Sequence, residues 1–381
     1  MIDTSDFSRH NLDKNRYMLT GQLRQQGYDW WWHSFTGIHK KTGKEKAFFI
    51  EFFVCNPALG GEQPIFGQLT KNQQEGKKPS YLMVKAGCWG TDAKQIHRFF
   101  AWDDVEVEYG IPFAIRAEDC YATENRLQGS VCVDAKDVKK HPEYMCDAGQ
   151  MQWDLRVKKE IPFNVGYGTS KFLRKINAFE MYWHAEGMKT LYEGTIMLDG
   201  EEYEVIPERS YGYADKNWGA NFTTPWVWLS SNHLKSKKTG KMLENSVFDI
   251  GGGKPRVFGI PLNRILLGAF YYEGERIEFN FSKLWTGAKT KFACHETEDE
   301  IVWHVQQENR KYIMLTNIHC KKEEMLLINY EAPDGTKKHN RLWNGGTGRG
   351  YIRLYKKGKD SVEFVDEIIV SHVGCEYGEM N

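Results

Sequence analysis

The residues best suited to chemistry lie in the segment SYGYADKNWGANFTTPWVW, which covers positions 210–228. Successive side chains of an extended strand point to opposite faces, so this segment predicts one polar face and one packing face. A carboxylic acid beside two phenols can serve as a general acid, but it can equally form a buried polar network that joins two sheets. The spacing alone leaves both interpretations open. The polar face holds Tyr211, Tyr213, Asp215 and Asn217, and the packing face holds Ser210, Gly212, Ala214, Lys216 and Trp218.

Aromatic and titratable residues on both sides of this segment extend the candidate site. Trp226 and Trp228 share one face of the strand PWVWLSS and predict either a cavity wall or core packing. In FEMYWHAEG, His184 and Glu186 share a face and predict either an acid–base pair or a structural hydrogen bond. Three consecutive tryptophans around Trp31 occupy both faces of a strand, so at least one ring must line a pocket, an interface or the surface.

Other short patterns do not predict a metal or a cofactor. Two adjacent Cys and His pairs, at 294–295 and 319–320, cannot each supply two ligands to one ion, because neighbours on a strand point to opposite faces. The glycine-rich segments DIGGGKP (249–255) and NGGTGRG (344–350) do not open a helix after a strand. We therefore interpret them as β loops rather than phosphate cradles and expect neither a bound metal nor a cofactor.

The composition is that of a globular protein rich in aromatic side chains. Phe, Trp and Tyr make up 14% of the chain, a share that suits broad sheets around an apolar pocket. Lys plus Arg and Asp plus Glu are equal at 51 each, which argues against nucleic acid as a partner. No apolar run reaches the length of a membrane span, whereas peripheral contact with a membrane stays open, as does the oligomeric state. Without an apolar leader sequence, we expect a cytoplasmic protein.

Turn signals separate many alternating segments and predict β-hairpins. The pairs Asp199-Gly200 and Glu273-Gly274 each stand between two such segments. Both central residues of a type I′ turn need positive φ, which Gly and Asp adopt readily. We therefore expect an all-β fold built from antiparallel strands.

Helical pattern is confined to two short pieces, at 169–176 and 142–149. The length of 381 residues favours two domains over one. We expect two antiparallel β-sandwich or barrel domains with few short helices. The N-terminal domain is predicted over residues 1–190 and the C-terminal domain over residues 191–381.

The segment around Asp215 resembles a motif of the tocopherol cyclase family, in which a Tyr, a small residue and an acid precede Lys-Asn-Trp-Gly and an aromatic strand follows. The matching residues here run from Tyr213 to Gly219, and Asp215 stands where the family usually has Glu. Segment 29–57 is similar to the family's opening block, two aromatic strands joined by a hairpin and ending in Asn-Pro. The resemblance implies two lipocalin-like β units, as in related hydratases and Diels–Alderases, with a hydrophobic ligand cavity between or within them.

The same resemblance implies a reaction in which an acid protonates a double bond of a prenylated or polyene small molecule. Such an acid must stay neutral near pH 7, which requires a dry environment, and aromatic faces stabilise the resulting cation. It implies Asp215 as the general acid, helped by Tyr213 or Tyr211. The residues expected to bind the substrate are Lys216, Asn217, Trp218, Trp226, Trp228, His184, Glu186 and Trp31. The alternative is a protein that carries a lipophilic ligand in the same cavity without converting it.

Overall fold

The computed structural model describes residues 9–163, 176, 178–223, 225–254, 256–257, 260–261, 265–281, 283–328, 330–335 and 342–378. Strands account for 60% of the structure and helices for 11%. The strands form one barrel and one half-barrel. The expected all-β fold class is confirmed: the described residues form antiparallel sheets with few short helices.

The first sheet contains twelve strands within the described residues. They are β1 (Tyr28–His39), β2 (Glu45–Cys55), β3 (Tyr81–Cys88), β4 (Lys94–Phe100), β5 (Glu106–Glu108), β6 (Ala114–Ala117), β7 (Cys120–Thr123), β8 (Arg126–Val133), β9 (Gly149–Phe163), β10 (Met181–Leu198), β11 (Glu201–Val205) and β12 (Gly212–Gly219). The order is β4-β3-β2-β1-β11-β10-β9-β8-β7-β6-β5, and β12 pairs with both β1 and β10. Strand β4 also contacts β8, so the sheet curls back on itself.

The second sheet contains eleven strands within the described residues. They are β13 (Trp226–Ser231), β14 (His233–Ser236), β15 (Val247–Gly253), β18 (Ile265–Tyr272), β19 (Glu275–Phe279), β20 (Lys289–Glu296), β21 (Glu300–Glu308), β22 (Tyr312–Lys321), β23 (Leu326–Ile328), β24 (Leu342–Lys357) and β25 (Val362–Gly378). Two short strands, β16 (Arg256–Val257) and β17 (Ile260–Pro261), pair only with each other. The chain passes from the first sheet to the second between Gly219 and Trp226, while the predicted domain boundary near residue 190 stays a prediction.

Helices in the described part of the chain are short. The α-helices are α1 (Arg9–Asn15), α2 (Thr70–Gln74) and α3 (Ala135–Lys140), and the 3-10 helices are Gly21–Arg24, Pro57–Leu59, Trp102–Asp104, Pro142–Tyr144, Pro207–Arg209, Leu284–Thr286 and Lys322–Glu324. The helix predicted over 142–149 is wrong beyond its first turn, because Met145 has a left-handed backbone with φ 51°. The helix predicted over 169–176 lies outside the described residues except for residue 176. No helix of the described chain has the length and apolar character of a membrane span.

The predicted hairpins form where their turn residues allow positive φ. Asp199 and Gly200 join β10 to β11 with φ of 48° and 86°. Glu273 and Gly274 join β18 to β19 with φ of 46° and 91°. These values are those of a type I′ turn, whose twist matches that of the flanking strands.

Alternation along the strands of the first sheet produces two separate hydrophobic cores. Trp31 and Phe52 point into the first barrel and pack in its interior. Their neighbours Trp32 and Phe53 point the other way, into a core shared with residues of the second sheet such as Trp228. A third core lies within the second sheet. The candidate site lies in the shared core, where the two sheets meet.

Candidate active site

A partly enclosed cavity lies between the two sheets. Its empty volume is about 500 Å³ including its open side. Its walls are mainly aromatic, with three acidic or amide side chains among them. The lining residues are Trp30, Trp32, Met181, Asp215, Asn217, Phe222, Thr223, Trp226, Trp228, Tyr330, Leu342 and Glu376.

Strand β12 positions Asp215 in this cavity through its pairing with β1. Asp215 stands opposite Trp32, and Asn217 stands opposite Trp30. On its other side β12 pairs with β10, which sets Trp183 opposite Asn217. Directly paired residues of antiparallel strands share a face, so these side chains all point toward the second sheet. The structure thus places Asp215 and Asn217 on one face, as the alternation predicts.

Asp215 is a buried carboxyl whose two oxygens have different surroundings. Oδ2 accepts a hydrogen bond from Trp183 Nε1 at 2.8 Å and one from the Tyr213 hydroxyl at 3.3 Å. Oδ1 is buried and has no hydrogen-bond partner among the described residues. Burial, followed by the nearby charge of Asp249, raises the pKa of Asp215 well above its ordinary value. The side chain is therefore held as a neutral acid in a largely apolar cavity.

Asp249 on β15 is a second buried carboxyl joined to the same hydroxyl. Tyr213 Oη lies 3.2 Å from Asp249 Oδ2, and Trp228 Nε1 donates to Asp249 Oδ1 at 3.1 Å. Burial raises the pKa of Asp249 well above its ordinary value. Burial likewise raises the pKa of Tyr213, so the phenol keeps its proton. Two acids and one phenol thus form a continuous hydrogen-bonded group across the sheets.

Glu376 on β25 is a third acid, and it lines the cavity itself. Its Oε2 accepts a hydrogen bond from Trp226 Nε1 at 2.6 Å, and its Oε1 accepts one from Asn344 Nδ2 at 2.5 Å. Burial raises the pKa of Glu376 to about 7, although both hydrogen bonds act in the opposite direction. Indole N–H groups thus hold all three acids, which keeps the rings of Trp183, Trp226 and Trp228 in fixed orientations.

Glycines of the second sheet make room for these rings. A Cβ atom on Gly251 would stand 2.6 Å from the Trp183 ring, and one on Gly374 would stand 2.2 Å from the Trp228 ring. The interpretation of segments 249–255 and 344–350 as loops was wrong, because Asp249 to Gly253 belong to β15 and the whole of 344–350 belongs to β24. Glycine there serves close packing between the sheets rather than a turn.

Three predicted substrate-binding residues lie on the opposite face of the same strands. Lys216 forms a fully buried ion pair with Asp29 and lies 3.6 Å above the Trp31 ring. Trp31 donates from Nε1 to the Asn15 carbonyl and stacks on Phe113 inside the first barrel. Trp218 stacks on Tyr182 behind β12. The structure does not bring Lys216, Trp31 or Trp218 to the cavity, because alternation sends them to the barrel interior.

His184 and Glu186 also point into the first barrel. Glu186 forms an ion pair with Lys159, and burial raises the pKa of Glu186 to about 7. Burial lowers the pKa of His184 well below its ordinary value. His184 pairs with Lys216 across the strands and shares its face, not that of Asp215. This pair therefore lies behind the sheet that carries the cavity.

Tyr211 and Asn217 differ from their expected roles. Tyr211 precedes β12 and has φ 43°, so strand alternation does not extend to it. Its ring contacts His233 and His372, at 4.5 and 4.3 Å between ring centroids, beside a separate surface pocket. Asn217 does line the cavity, but its amide is satisfied by the Tyr182 carbonyl at 3.0 Å and Trp30 Nε1 at 3.2 Å. Trp183, rather than Asn217, orients Asp215.

Several residues of the site were not identified from the sequence. The clearest missed acids are Asp249 and Glu376, each a lone acid within a short β segment, in SVFDIGGG and SHVGCEYG. A charged residue within an apolar strand was the available signal, since such a residue is seldom buried without a partner. The missed aromatic residues are Trp30, Trp32, Trp183, Phe222 and Tyr330. Among the described residues no group of three or more His, Cys, Asp or Glu side chains is arranged to hold a metal ion.

Comparison with known sequences gives a match to one protein family. The profile of that family, described as tocopherol cyclase-like, matches residues 112–379, which is 268 of the 381 residues. A protein of Oryza sativa subsp. japonica named "Probable tocopherol cyclase, chloroplastic" is 31% identical over 119 residues. That alignment covers 31% of this chain and 23% of the rice protein, so the match spans under a quarter of its curated relative.

Comparison with solved structures gives distant matches over nearly the whole chain. A protein assigned as AttH from Nitrosomonas europaea aligns with a TM-score of 0.44 and 12% identity, covering 95% of this chain and 96% of its own. Kievitone hydratase from Nectria haematococca aligns with a TM-score of 0.45 and 10% identity, covering 94% and 93%. CghA with Sch210972 aligns with a TM-score of 0.46 and 9% identity, covering 93% and 89%.

Proposed function

This chain belongs to the tocopherol cyclase-like family. We propose that it protonates a carbon–carbon double bond of a hydrophobic small molecule. Cyclisation or isomerisation of a prenylated or polyene substrate would follow from the carbocation. Asp215 is the proposed general acid. The cavity between the sheets is the proposed substrate site, and no cofactor is required for this chemistry.

The observation that carries the proposal is the asymmetry of the Asp215 carboxyl. Its Oδ2 receives two donors, Trp183 Nε1 and the Tyr213 hydroxyl, so an added proton resides on Oδ1. Oδ1 has no acceptor among the described residues. A proton on Oδ1 therefore meets no competing acceptor in the described part of the chain, and an alkene in the cavity can take it. A buried acid held neutral in this way is what protonation of a weakly basic alkene requires.

Aromatic faces around Asp215 support the second requirement, stabilisation of positive charge. The indoles of Trp30, Trp32, Trp226 and Trp228 line the cavity together with the rings of Tyr330 and Phe222. Each desolvated cation–π contact contributes about 0.5–2 kcal/mol. A carbocation formed near Asp215 would thus be surrounded by π electrons, while the Asp215 carboxylate left behind balances its charge.

Tyr213 and Asp249 are proposed to keep Asp215 supplied with its proton. Tyr213 lies between the two acids and can donate to one while accepting from the other. When Asp215 gives up its proton from Oδ1, Asp249 can pass a proton to Tyr213 as Tyr213 passes its own to Asp215 Oδ2. The carboxyl is then neutral again without water having to enter the substrate space, and its rotation brings the new proton toward the cavity.

The size of the cavity bears on how a substrate binds. Its empty volume of about 500 Å³, which includes the open side, lies within the range of small-molecule sites. A prenylated or polyene ligand would enter through that open side. The cytoplasmic location predicted from the sequence stays a prediction.

The test uses deuterium oxide as the proton source. The purified protein is incubated in D₂O with a panel of prenylated phenols and polyenes, and products are examined by mass spectrometry and NMR. We expect a cyclised or isomerised product with one deuterium on the carbon that was protonated. Replacing Asp215 by Asn should lower turnover at least 100-fold, because amides do not protonate alkenes. Ligand that is bound and recovered unlabelled and unchanged would instead indicate a carrier.

A further inference from the structure

The cavity wall contains a second acid–base group besides Asp215 and its partners. Resting on the function proposed above, we propose that Tyr330 is a further catalytic residue, the base that takes the proton from the substrate oxygen that captures the cation. Trp32 would bind that oxygen through its indole N–H, and Glu51 and Lys85 would act as positioning residues for Tyr330.

Tyr330 combines contact with the cavity and a hydrogen bond to a buried carboxylate. Its ring lines the cavity and stacks on Trp30 at 5.6 Å between centroids. Its hydroxyl donates to Glu51 Oε2 at 2.7 Å. A phenol that donates to a carboxylate keeps its oxygen lone pairs as acceptors, and that oxygen becomes more basic. Tyr330 can therefore accept a proton from a substrate hydroxyl while passing its own to Glu51.

Glu51 and Lys85 form a buried ion pair beneath this phenol. Both side chains have no exposed surface, and Lys85 Nζ lies 2.8 Å from Glu51 Oε2. Lys85 Nζ also lies 3.8 Å from the centre of the Tyr330 ring. Burying two charges costs free energy, and the attraction between them often does no more than offset that cost. A buried ion pair is therefore weak evidence for a stabilising role. Because this pair contacts a phenol of the cavity wall, we assign it a chemical role.

Trp32 supplies a second, independent observation that points to a bound ligand oxygen. It lines the same cavity, and its Nε1–H is buried without an acceptor among the described residues. A buried donor without an acceptor is costly, and a ligand oxygen would remove that cost. In the first sheet Trp32 lies directly between Asp215 on β12 and Glu51 on β2. Since neighbouring strands are about 4.8 Å apart, the acid and Glu51 are about 10 Å apart, with the donor between them.

The proposed step balances in protons and bonds. The alkene takes a proton from Asp215 Oδ1, which leaves a carbocation and a carboxylate. The substrate oxygen attacks the cation and forms a C–O bond, and its proton moves to Tyr330 Oη as the Tyr330 proton moves to Glu51 Oε2. The product is an isomer of the substrate. After product leaves, water entering the open side of the cavity returns one proton to the group of Asp215, Tyr213 and Asp249 and removes one from Glu51.

Binding of unreactive analogues tests the oxygen site without any turnover. The probes are 2-(3-methylbutyl)phenol, which lacks the alkene, and its methyl ether, measured by titration calorimetry. We expect the wild type to prefer the phenol about tenfold, the effect of one hydrogen bond. Tyr330→Phe should reduce that preference, whereas Trp32→Phe should weaken the binding of both probes, because the ether oxygen can also accept from the Trp32 N–H. Equal affinity of the wild type for both probes would overturn the inference.

Labelling in D₂O separates this inference from the function on which it rests. With a prenylated phenol, Tyr330→Phe should still place deuterium in the alkene portion but form at least 100-fold less cyclised product. Ring closure at the wild-type rate would exclude Tyr330 as the base. If the wild type neither labels nor cyclises any phenol, the proposed function itself fails, whatever the analogue binding shows.

Two further variants control for structural effects. Tyr28→Phe removes a hydroxyl from the same aromatic cluster that is buried without a partner among the described residues, so it should leave binding and turnover unchanged. Glu51→Gln keeps an acceptor for Tyr330 but cannot take its proton. It should lower kcat and leave KM unchanged. A loss of stability with kcat unchanged would make Glu51 purely structural.

Discussion

Asp215 of the first sheet and Asp249 of the second share the hydroxyl of Tyr213, which lies 3.3 Å from Asp215 Oδ2 and 3.2 Å from Asp249 Oδ2. Both acids are buried, and the charge of one raises the pKa of the other. Two buried carboxyls in such contact do not both ionise near neutral pH, so the group retains a proton. The contact that joins the two sheets is therefore also a store of the proton that the proposed reaction consumes.

Turnover by the wild type should fall as pH rises. The pKa of Asp215 is raised above its ordinary value, mainly by burial, so its acid form persists above the range in which an exposed Asp ionises. Activity is present below the raised pKa and is lost as pH increases through it. The measurement is kcat for a converted prenylated substrate between pH 5 and pH 10. A rate that is constant throughout would contradict Asp215 as the acid.

Replacing Asp249 by Asn should move that alkaline limb to lower pH. The variant removes the neighbouring charge that helps raise the pKa of Asp215, while the amide can still accept from Trp228. We expect a displacement of at least one pH unit in the kcat profile. Asp366→Asn is the matched control, because Asp366 is a fully buried carboxyl of the second sheet whose described contacts include Tyr272 but no cavity residue. The same displacement in both variants would rule out a specific role for Asp249.

Glu376 should make the folded protein less stable as pH rises. Its pKa is about 7 in the folded state against 4.5 ordinarily, so the folded state holds the proton more tightly. Stability from this group is therefore complete below pH 4.5 and is lost as pH rises toward 7, by about 3 kcal/mol. The free energy of unfolding, measured with urea, should decrease from pH 5 to pH 8 in both proteins. The decrease should be about 3 kcal/mol smaller in Glu376→Gln than in the wild type. An unchanged decrease would place the pH dependence in other groups.

Adding a methyl group at Gly374 should disturb the cavity wall. Its Cβ would stand 2.2 Å from the Trp228 ring, so Gly374→Ala forces that ring to move. We expect a loss of about 1–3 kcal/mol in the free energy of unfolding, together with lower turnover as Trp228 loses its bond to Asp249. Gly110→Ala is the control, because its added Cβ has no neighbour within 4 Å. Wild-type stability and turnover in Gly374→Ala would show that the ring is not held in this position.

Lys216 should prove essential to the stability of the first barrel. Lys216→Met leaves the buried Asp29 carboxyl without its partner, and removing one member of a buried ion pair costs about 3–5 kcal/mol. Thermal and urea unfolding measure this loss. The double variant with Asp29→Asn should recover part of it, since the amide oxygen can still accept from the Met18 N–H. No recovery would mean that the charge of Asp29 is not the source of the instability.

Local sequence pattern was sufficient for the fold class and for the two faces of β12. Turn residues with positive φ and period-two alternation are properties of the backbone itself, so they predicted the hairpins and the opposite orientations of Asp215 and Lys216. The same rule failed at Tyr211, because the strand begins one residue later and the backbone at Tyr211 is left-handed. Alternation applies only where the chain is extended.

The partners of Asp215 were decided by tertiary structure. Asp249 and Glu376 lie 34 and 161 residues farther along the chain, on strands that reach Asp215 only when the second sheet packs against the first. Periodicity predicts which face of the sheet a side chain occupies, but not which residues pack against that face. Those residues bury Asp215, and burial raises its pKa. The face of the sheet that Asp215 occupies could therefore be predicted from its strand, whereas its protonation, its hydrogen bonds and the aromatic wall around it arise from the contact between two sheets.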